Sequence, residues 1–552
     1  MNNASRAMLA SLWLVSLLPA GCSSSENKTV APPDEQPEEM MDPTPDGHFL
    51  LSLGTTKLPL PQGDGDSLTV TVERRNGFEG AVEISAQGLP EGVAARPLTI
   101  PEGETEAVLE LEAEAKAPHS LPTSVTISGK SAKLHDEREL TVTVCGAPGA
   151  VDTSFQGGNV MVPVGAGDAY AYAMAAQPDG KVVVVGTSHE HSGDFAIVRF
   201  ERDGDIDTTF GDAGLVMTQV GVGSDVARAV AVDEQGRIVV AGTADGAHGL
   251  DFAVARYLAD GELDESFGAD GKTLVTFGED SDTAYALVLQ SDGKIVVGGD
   301  SNRGSSQSGL DFALLRLTED GQPDDSFGEA GLTTLSVAQF GGRDSIYALA
   351  LQEISGEERI VAAGGEGDFT LARFRADGKL DSSFGQQGKL NGLFGSTIGA
   401  ARALTLTSDN ELVAAGHAQH DFALVKLSTE GALVSTFGDA GKLTTAVSAD
   451  NWDEAQGVGV QADSKLLVAG WTYEGNSSSG NTALLRYTAD GRLDESFGDA
   501  GIVVAQVAAP SKADQGSALL IQPDERVPSE RLLVAGFASA GLSQFALTRF
   551  WR

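Results

Sequence analysis

The sequence predicts an all-β fold: a seven-bladed β-propeller preceded by a small β-sandwich. Three observations predict it. From residue 151 onward a motif of the form Asp-x-Ser/Thr-Phe-Gly-x-x-Gly recurs, with its Phe at Phe155, Phe210, Phe267, Phe327, Phe384, Phe437 and Phe497. Those intervals suit four short strands per unit. Residues 48–147 alternate apolar and polar at the period of half-buried strands. Glycine is 68 of 552 residues while aromatics are 6%, a composition of many tight turns.

The amino end reads as an export signal over residues 1–21. Arg6 is followed by an apolar run from Leu9 to Leu18, too short to span a bilayer. Leu18-Pro19-Ala20-Gly21-Cys22-Ser23 then resembles the lipobox of bacterial lipoproteins, although Pro19 stands where Leu is usual. The resemblance implies lipidation of Cys22. Ser23 in place of Asp implies the outer membrane of a Gram-negative cell, so the expected location is exported, lipid-anchored and at the cell surface. Residues 22–47 are Ser-, Pro- and acid-rich with almost no apolar side chains, and are expected to be a disordered tether.

Residues 48–147 carry the strand-like runs Ser67–Glu73, Ala81–Ser85, Ala107–Glu112, Ser124–Ser128 and Leu140–Val144, punctuated by Pro and Gly. This pattern reads as a β-sandwich and looks like the immunoglobulin-like modules of bacterial surface proteins. It lacks the paired cysteines of antibody domains, since Cys145 stands alone once Cys22 is acylated. A spacer role suits it.

Each unit of residues 151–552 contains a small-apolar alternation such as Ala171-Tyr-Ala-Met-Ala175, a β-branched run ending in Gly (181–186 and six equivalents), and Asp-Phe-Ala-x-x-Arg or a variant. The unit is four antiparallel strands, a-b-c-d, with the Phe segment expected to begin strand d. The chain enters at a lone strand d (151–164) and leaves at a strand c (545–550). The first d therefore can complete the last a-b-c and close the ring. An open solenoid, the alternative, needs polar caps. The two motifs together resemble the delta-60 repeat family of bacterial proteins over about 400 residues. That resemblance implies a propeller-like surface or secreted protein and no particular activity.

The 37 basic against 79 acidic residues, a net charge of −42, exclude a basic nucleic-acid footprint. No phosphate loop, zinc helix or nucleophile elbow is present, and no cofactor is implied. The repeated Phe residues are expected to pack between blades. The cation in each strand c (Arg199, Arg256, Arg316, Arg373, Lys426, Arg486, Arg549) is expected to pair with the repeated acid (Asp152, Asp207, Asp264, Asp324, Asp381, Asp494), which is Val434 in one copy.

Function is sought where the repeats differ. Acids precede strand a at Asp168, Asp225, Asp282, Asp344, Asp453 and Asp514. A ring of them at the axial mouth suits a cation such as Ca2+, and strand-end hydrogen bonds are the plainer role. His189, His191, His248, His417 and His420 fall in b–c loops at spacings that match no dedicated metal site. Trp452, Trp471 and Tyr473 gather in the sixth blade, where aromatics can stack on a sugar or grip a peptide. The expected function is a non-enzymatic, monomeric, lipid-anchored surface protein whose propeller binds a glycan or protein. A propeller enzyme acting on extracellular glycans and a purely structural surface component are the other readings.

Overall fold

The computed structural model describes residues 47–552 except 121, 191–192, 247–248, 279, 303–308, 338–343, 366, 396–397, 449–451, 474–479, 509–512 and 525–528. The export signal, Cys22 and nearly all of the tether lie outside the described residues, as do His191 and His248. The described residues are all β, and among them no helix is long and apolar enough to cross a membrane.

Residues 48–145 form two sheets around one apolar core. His48–Leu53, Gly65–Arg75, Glu106–Ala113 and Val93–Ala95 make the first, in that spatial order. Lys57–Pro61, Leu134–Cys145, Thr123–Ser131, Val82–Gln87 and Leu98–Ile100 make the second. Alternation does the sorting: in Gly65–Arg75, Leu68, Val70 and Val72 turn to the core while Thr69 and Glu73 face water.

Residues 151–552 form seven four-stranded antiparallel sheets. Sheet 1 is Ala169–Ala176 (a), Val182–Ser188 (b), Asp194–Phe200 (c) and Leu215–Thr218 (d). Sheets 2 to 7 have their a strands at Val226–Val232, Asp282–Leu289, Ile346–Ile354, Gly399–Leu406, Asp453–Val460 and Asp514–Asp524. The b and c strands are apolar at nearly every position because both faces are covered. Val182, Val184, Ala196 and Val198 pack toward sheet 7, and Val183, Val185, Phe195 and Ile197 toward sheet 2. Consecutive a strands lie side by side, and that of sheet 7 lies beside that of sheet 1. In sheet 7, Ser543–Trp551 is flanked by Asn159–Val162 from the start of the repeats, with Val160 opposite Leu547.

The Phe segment is a turn before strand d, not its beginning. Phe210 N–H donates to Asp207 O (3.1 Å) and Gly214 N–H to Phe210 O (2.7 Å), so strand d starts only at Leu215. Every Phe of the series is at most 1% exposed, and each is wedged against the next sheet. A Cβ on Gly261 or Gly321 would meet the ring of Phe210 or Phe267 at 2.9 or 2.7 Å, so only Gly lets the ring in.

The strand-c arginine completes this joint. Arg256 Nε donates to Asp264 Oδ2 (2.7 Å), its guanidinium lies 4.7 Å from the Phe267 centroid, and Nη1 reaches Glu319 O of the next sheet. Arg199, Arg316, Arg373, Arg486 and Arg549 pair with Asp207, Asp324, Asp381, Asp494 and Asp152 in the same way. Arg549–Asp152 spans the two ends of the repeats. Where Val434 replaces the acid, Lys426 pairs instead with Glu411 of strand b (2.8 Å). In other sheets the cation at the Glu411 position points at the Asp, as Lys181 and Lys465 do, although Arg237 pairs with Asp233 and Glu319. The joint thus keeps one acid–cation pair with the two positions exchanged, at one acid and one cation in place of one acid and two cations.

Trp551 joins the two parts of the chain. Its backbone N–H donates to Ala150 O (2.9 Å), its ring is edge-on to His119 at 5.0 Å, and Arg531 lies over it at 3.9 Å.

Candidate ligand-binding site

One glycine in strand b of each sheet builds the site. A Cβ on Gly186, Gly242, Gly299, Gly364, Gly416, Gly470 or Gly536 would fall onto a carbonyl oxygen of the neighbouring a strand. The bare backbone admits that carbonyl, and the a strand bulges by one residue directly after it. Register slips between Ala171 and Ala173, Ala227 and Ala229, Ala284 and Ala286, and at the same place in the other four sheets. The extra residues are Tyr172, Arg228, Tyr285, Tyr347, Arg402, Gln456 and Ser517. All seven line a single cavity of about 260 Å³. Trp471 and Gln515 lie in the same wall, and no carboxylate is among the described lining residues. A position that varies among Tyr, Arg, Gln and Ser is therefore the one that the fold gathers into one place.

The two arginines are in different states. Arg402 Nε donates to Glu454 Oε1 (2.6 Å) and its guanidinium lies 3.9 Å from the Tyr347 centroid. Burial disfavours its charge, but Glu454 and Tyr347 outweigh burial and hold its pKa above the ordinary value. Arg228 stands between Tyr172 (4.6 Å) and Tyr285 (5.4 Å). Among the described residues it makes no ion pair, and its buried Nε has no hydrogen-bond partner. Burial pushes Tyr172 up, and pushes Tyr285 up to about 12, so both phenols remain protonated donors at neutral pH.

The aromatic trio expected in sheet 6 is split. Trp471 enters the cavity wall with Tyr473 beside it at 5.0 Å. Trp452 turns to sheet 5, where His420 stacks on it (4.5 Å, 20°) and His417 lies 5.3 Å away. The Trp452 Nε1–H donates to the buried Glu454 (3.1 Å). Trp452 is thus a packing residue behind the cavity wall, and no ring contact joins it to Trp471 or Tyr473 among the described residues.

The acids before strand a close loops. Asp225 accepts from Val220 N–H (2.6 Å), Asp282 from Phe277 N–H (2.7 Å), Asp344 from Val337 N–H (3.2 Å), Asp453 from Val447 N–H (2.7 Å) and Asp514 from Val507 N–H (2.8 Å). Asp168 accepts from Ser543 N–H of sheet 7 (2.7 Å). Burial raises the pKa of Asp225, Asp282 and Asp514, only partly offset by these amides. They do not form a ring of open ligands: no three His, Cys, Asp or Glu side chains converge on a metal position among the described residues. His417 is buried with its pKa lowered by that burial, and its Nδ1 sits 3.6 Å from Glu454. Cys145 is buried, which raises its thiol pKa and makes it a poor nucleophile.

Sequence reasoning missed the bulge residues. Their signal was available: Tyr, Arg, Gln or Ser at one offset within an otherwise small-apolar strand.

Five segments, 177–210, 236–267, 290–327, 359–384 and 461–497, match the family model described as Domain of unknown function (DUF5122) beta-propeller. Each ends at the Phe of a repeat, and the copy ending at Phe437, with its inverted Glu411–Lys426 pair, is not among them. No curated protein matches the chain. Solved structures with some likeness include domains 4 and 5 of the S-layer protein SbsC, at 16% identity over 17% of this chain, with a TM-score of 0.14. The chain spans 50% of the length of that structure. Domains 4–9 of surface layer protein SbsC give 10% identity, 91% of this chain, 81% of that chain and a TM-score of 0.15. A DUF4784 family protein from Bacteroides caccae gives 11%, 84%, 99% and 0.21. At these TM-scores none is evidence of a shared fold. What the chain is similar to is a β-propeller repeat family, through five of its repeats.

Proposed function

We propose that the chain is an exported lipoprotein in which a β-sandwich stalk carries a closed seven-bladed propeller. The propeller is a non-enzymatic scaffold that binds a glycan or protein ligand at its axial cavity. One observation carries this reading: seven a strands each deliver their bulge residue into one cavity. Bulges commonly re-aim a side chain at a functional site, and variable residues on a rigid repeated frame are how one fold takes different ligands. A non-catalytic role is supported by the lining itself. Glycoside hydrolysis needs two carboxylates flanking the bond, and the described lining residues offer none.

Glycan and peptide arrays with the full chain test this, comparing wild type with Gln456→Trp, which fills the cavity. Ligands held by the wild type and lost by the filled variant support the site. Binding that is indifferent to the filling places it elsewhere, and hydrolysis of an arrayed glycan rejects the non-enzymatic reading.

A further inference from the structure

Among the described residues Arg228 is a cation without an ion pair, in a chain of net charge −42. Its buried Nε has no hydrogen-bond partner among the described residues, while Asp225 and Asp282 at neighbouring a strands are engaged by backbone amides and Glu454 by Arg402 and Trp452. A half-buried guanidinium left unpaired is unfavourable unless a partner anion completes it. Tyr172 and Tyr285 flank it, so its position is fixed by packing and its donors need no reordering when an anion arrives.

The rest of the wall limits what that anion is attached to. Arg402 is already neutralised by Glu454, so the cavity has one unpaired positive charge, which suits a monoanion better than a phosphate dianion. Tyr285 and Tyr347, with Gln456, are neutral groups able to exchange hydrogen bonds with hydroxyls. Trp471 supplies an aromatic face. A volume of about 260 Å³ has room for one ring.

We propose that the axial cavity takes a carboxylate-bearing sugar unit, with Arg228 holding the carboxylate and Trp471 facing the ring. This rests on the scaffold reading above and names its ligand class. The carboxylates of Asp453 and Asp514 accept backbone N–H groups of their own loops and are not among the described lining residues.

Calorimetric titration of the full chain with glucuronate, glucose, acetate and benzoylglycine tests it, on wild type, Arg228→Gln, Arg228→Lys and Trp471→Ala. Glucuronate is expected to bind at least tenfold tighter than glucose. Arg228→Gln should erase that preference with an unchanged melting temperature, and Arg228→Lys should keep part of it. Trp471→Ala should weaken both sugars alike. Equal binding of glucuronate and glucose, or glucuronate binding untouched by Arg228→Gln, overturns the assignment. Acetate or benzoylglycine binding as well as glucuronate overturns its sugar half. If Arg228→Gln does not fold, Arg228→Lys decides: a reduced preference supports the assignment, and a preference equal to wild type overturns it. Failure here alongside array ligands still lost in Gln456→Trp rejects the acidic sugar and leaves the scaffold standing. Failure of both rejects the scaffold as well.

Discussion

The inverted pair of the Phe437 repeat supplies a natural control for the joints between sheets. In the Phe384 joint, Asp381 accepts from Arg373 Nε (2.8 Å) and lies 3.4 Å from Arg359 Nε. The Arg373 side chain is 1% exposed. Asp381→Val strands both guanidinium groups, of which Arg373 has no other carboxylate. Removing one partner of a buried pair costs about 3–5 kcal/mol. The triple change Arg359→Glu, Arg373→Lys, Asp381→Val rebuilds what Glu411, Lys426 and Val434 do naturally at 2.8 Å. It gives up the bonds from Arg373 to Gln352 and Ser383, so recovery should be partial, about 1–3 kcal/mol relative to the single change. Urea unfolding followed by tryptophan fluorescence reads both variants against wild type. A single change within about 1 kcal/mol of wild type, or a triple change no better than the single, refutes the view that these charges act as one unit.

Phe267→Ala should cost about 3–5 kcal/mol, because the ring is 0% exposed against Gly321; a loss under about 1 kcal/mol in urea titration would remove the Phe series from the joints. Burial alone would raise the pKa of Asp264, Asp324, Asp381 and Asp494, but bonds from the following Ser and the Arg outweigh it and leave each lowered. Their stabilisation is therefore present above the ordinary carboxylate pKa of about 4 and lost as pH falls below it, whereas the raised Asp225, Asp282 and Asp514 are relieved on acidification from neutral. Melting temperature should hold or rise slightly on going from pH 7 toward about 5 and fall steeply below about 4; a continued rise to about pH 3 contradicts this balance. Cys22→Ala should release the chain from the membrane fraction, and retention there would reject the lipid anchor.

The joints were legible because their Phe is written in every copy and their acid in all but one. A Phe repeated seven times and a cation–acid pair eight residues apart in five copies, as in Arg256 and Asp264, leave a structural role as the economical reading. The cavity was hidden for the opposite reason. A bulge is a property of two strands in register, and within Ala171-Tyr-Ala-Met-Ala175 nothing marks Tyr172 as the unpaired residue. It becomes visible only when Gly186 is seen under the carbonyl of Tyr170. The acids misled because repetition looks the same whether it serves a shared ligand or seven separate loops. Asp453 bonded to Val447 N–H shows the second. Trp452 misled because scarcity was taken for exposure, while Glu454 and His420 had claimed both its N–H and its face.

Closure of the seven sheets is the claim on which the cavity depends, since an open arc gathers no seven residues around one axis. Met161 and Ala546 face each other across the join between Asn159–Val162 and the last strand. In the double variant Met161→Cys, Ala546→Cys, mild oxidation should give a disulfide linking the two ends of the repeat region. It would be seen as a faster band on a non-reducing gel that neither single variant gives. The closed ring predicts nearly complete cross-linking in the native protein and none in urea. Free thiols at both positions after oxidation of the native protein would contradict it.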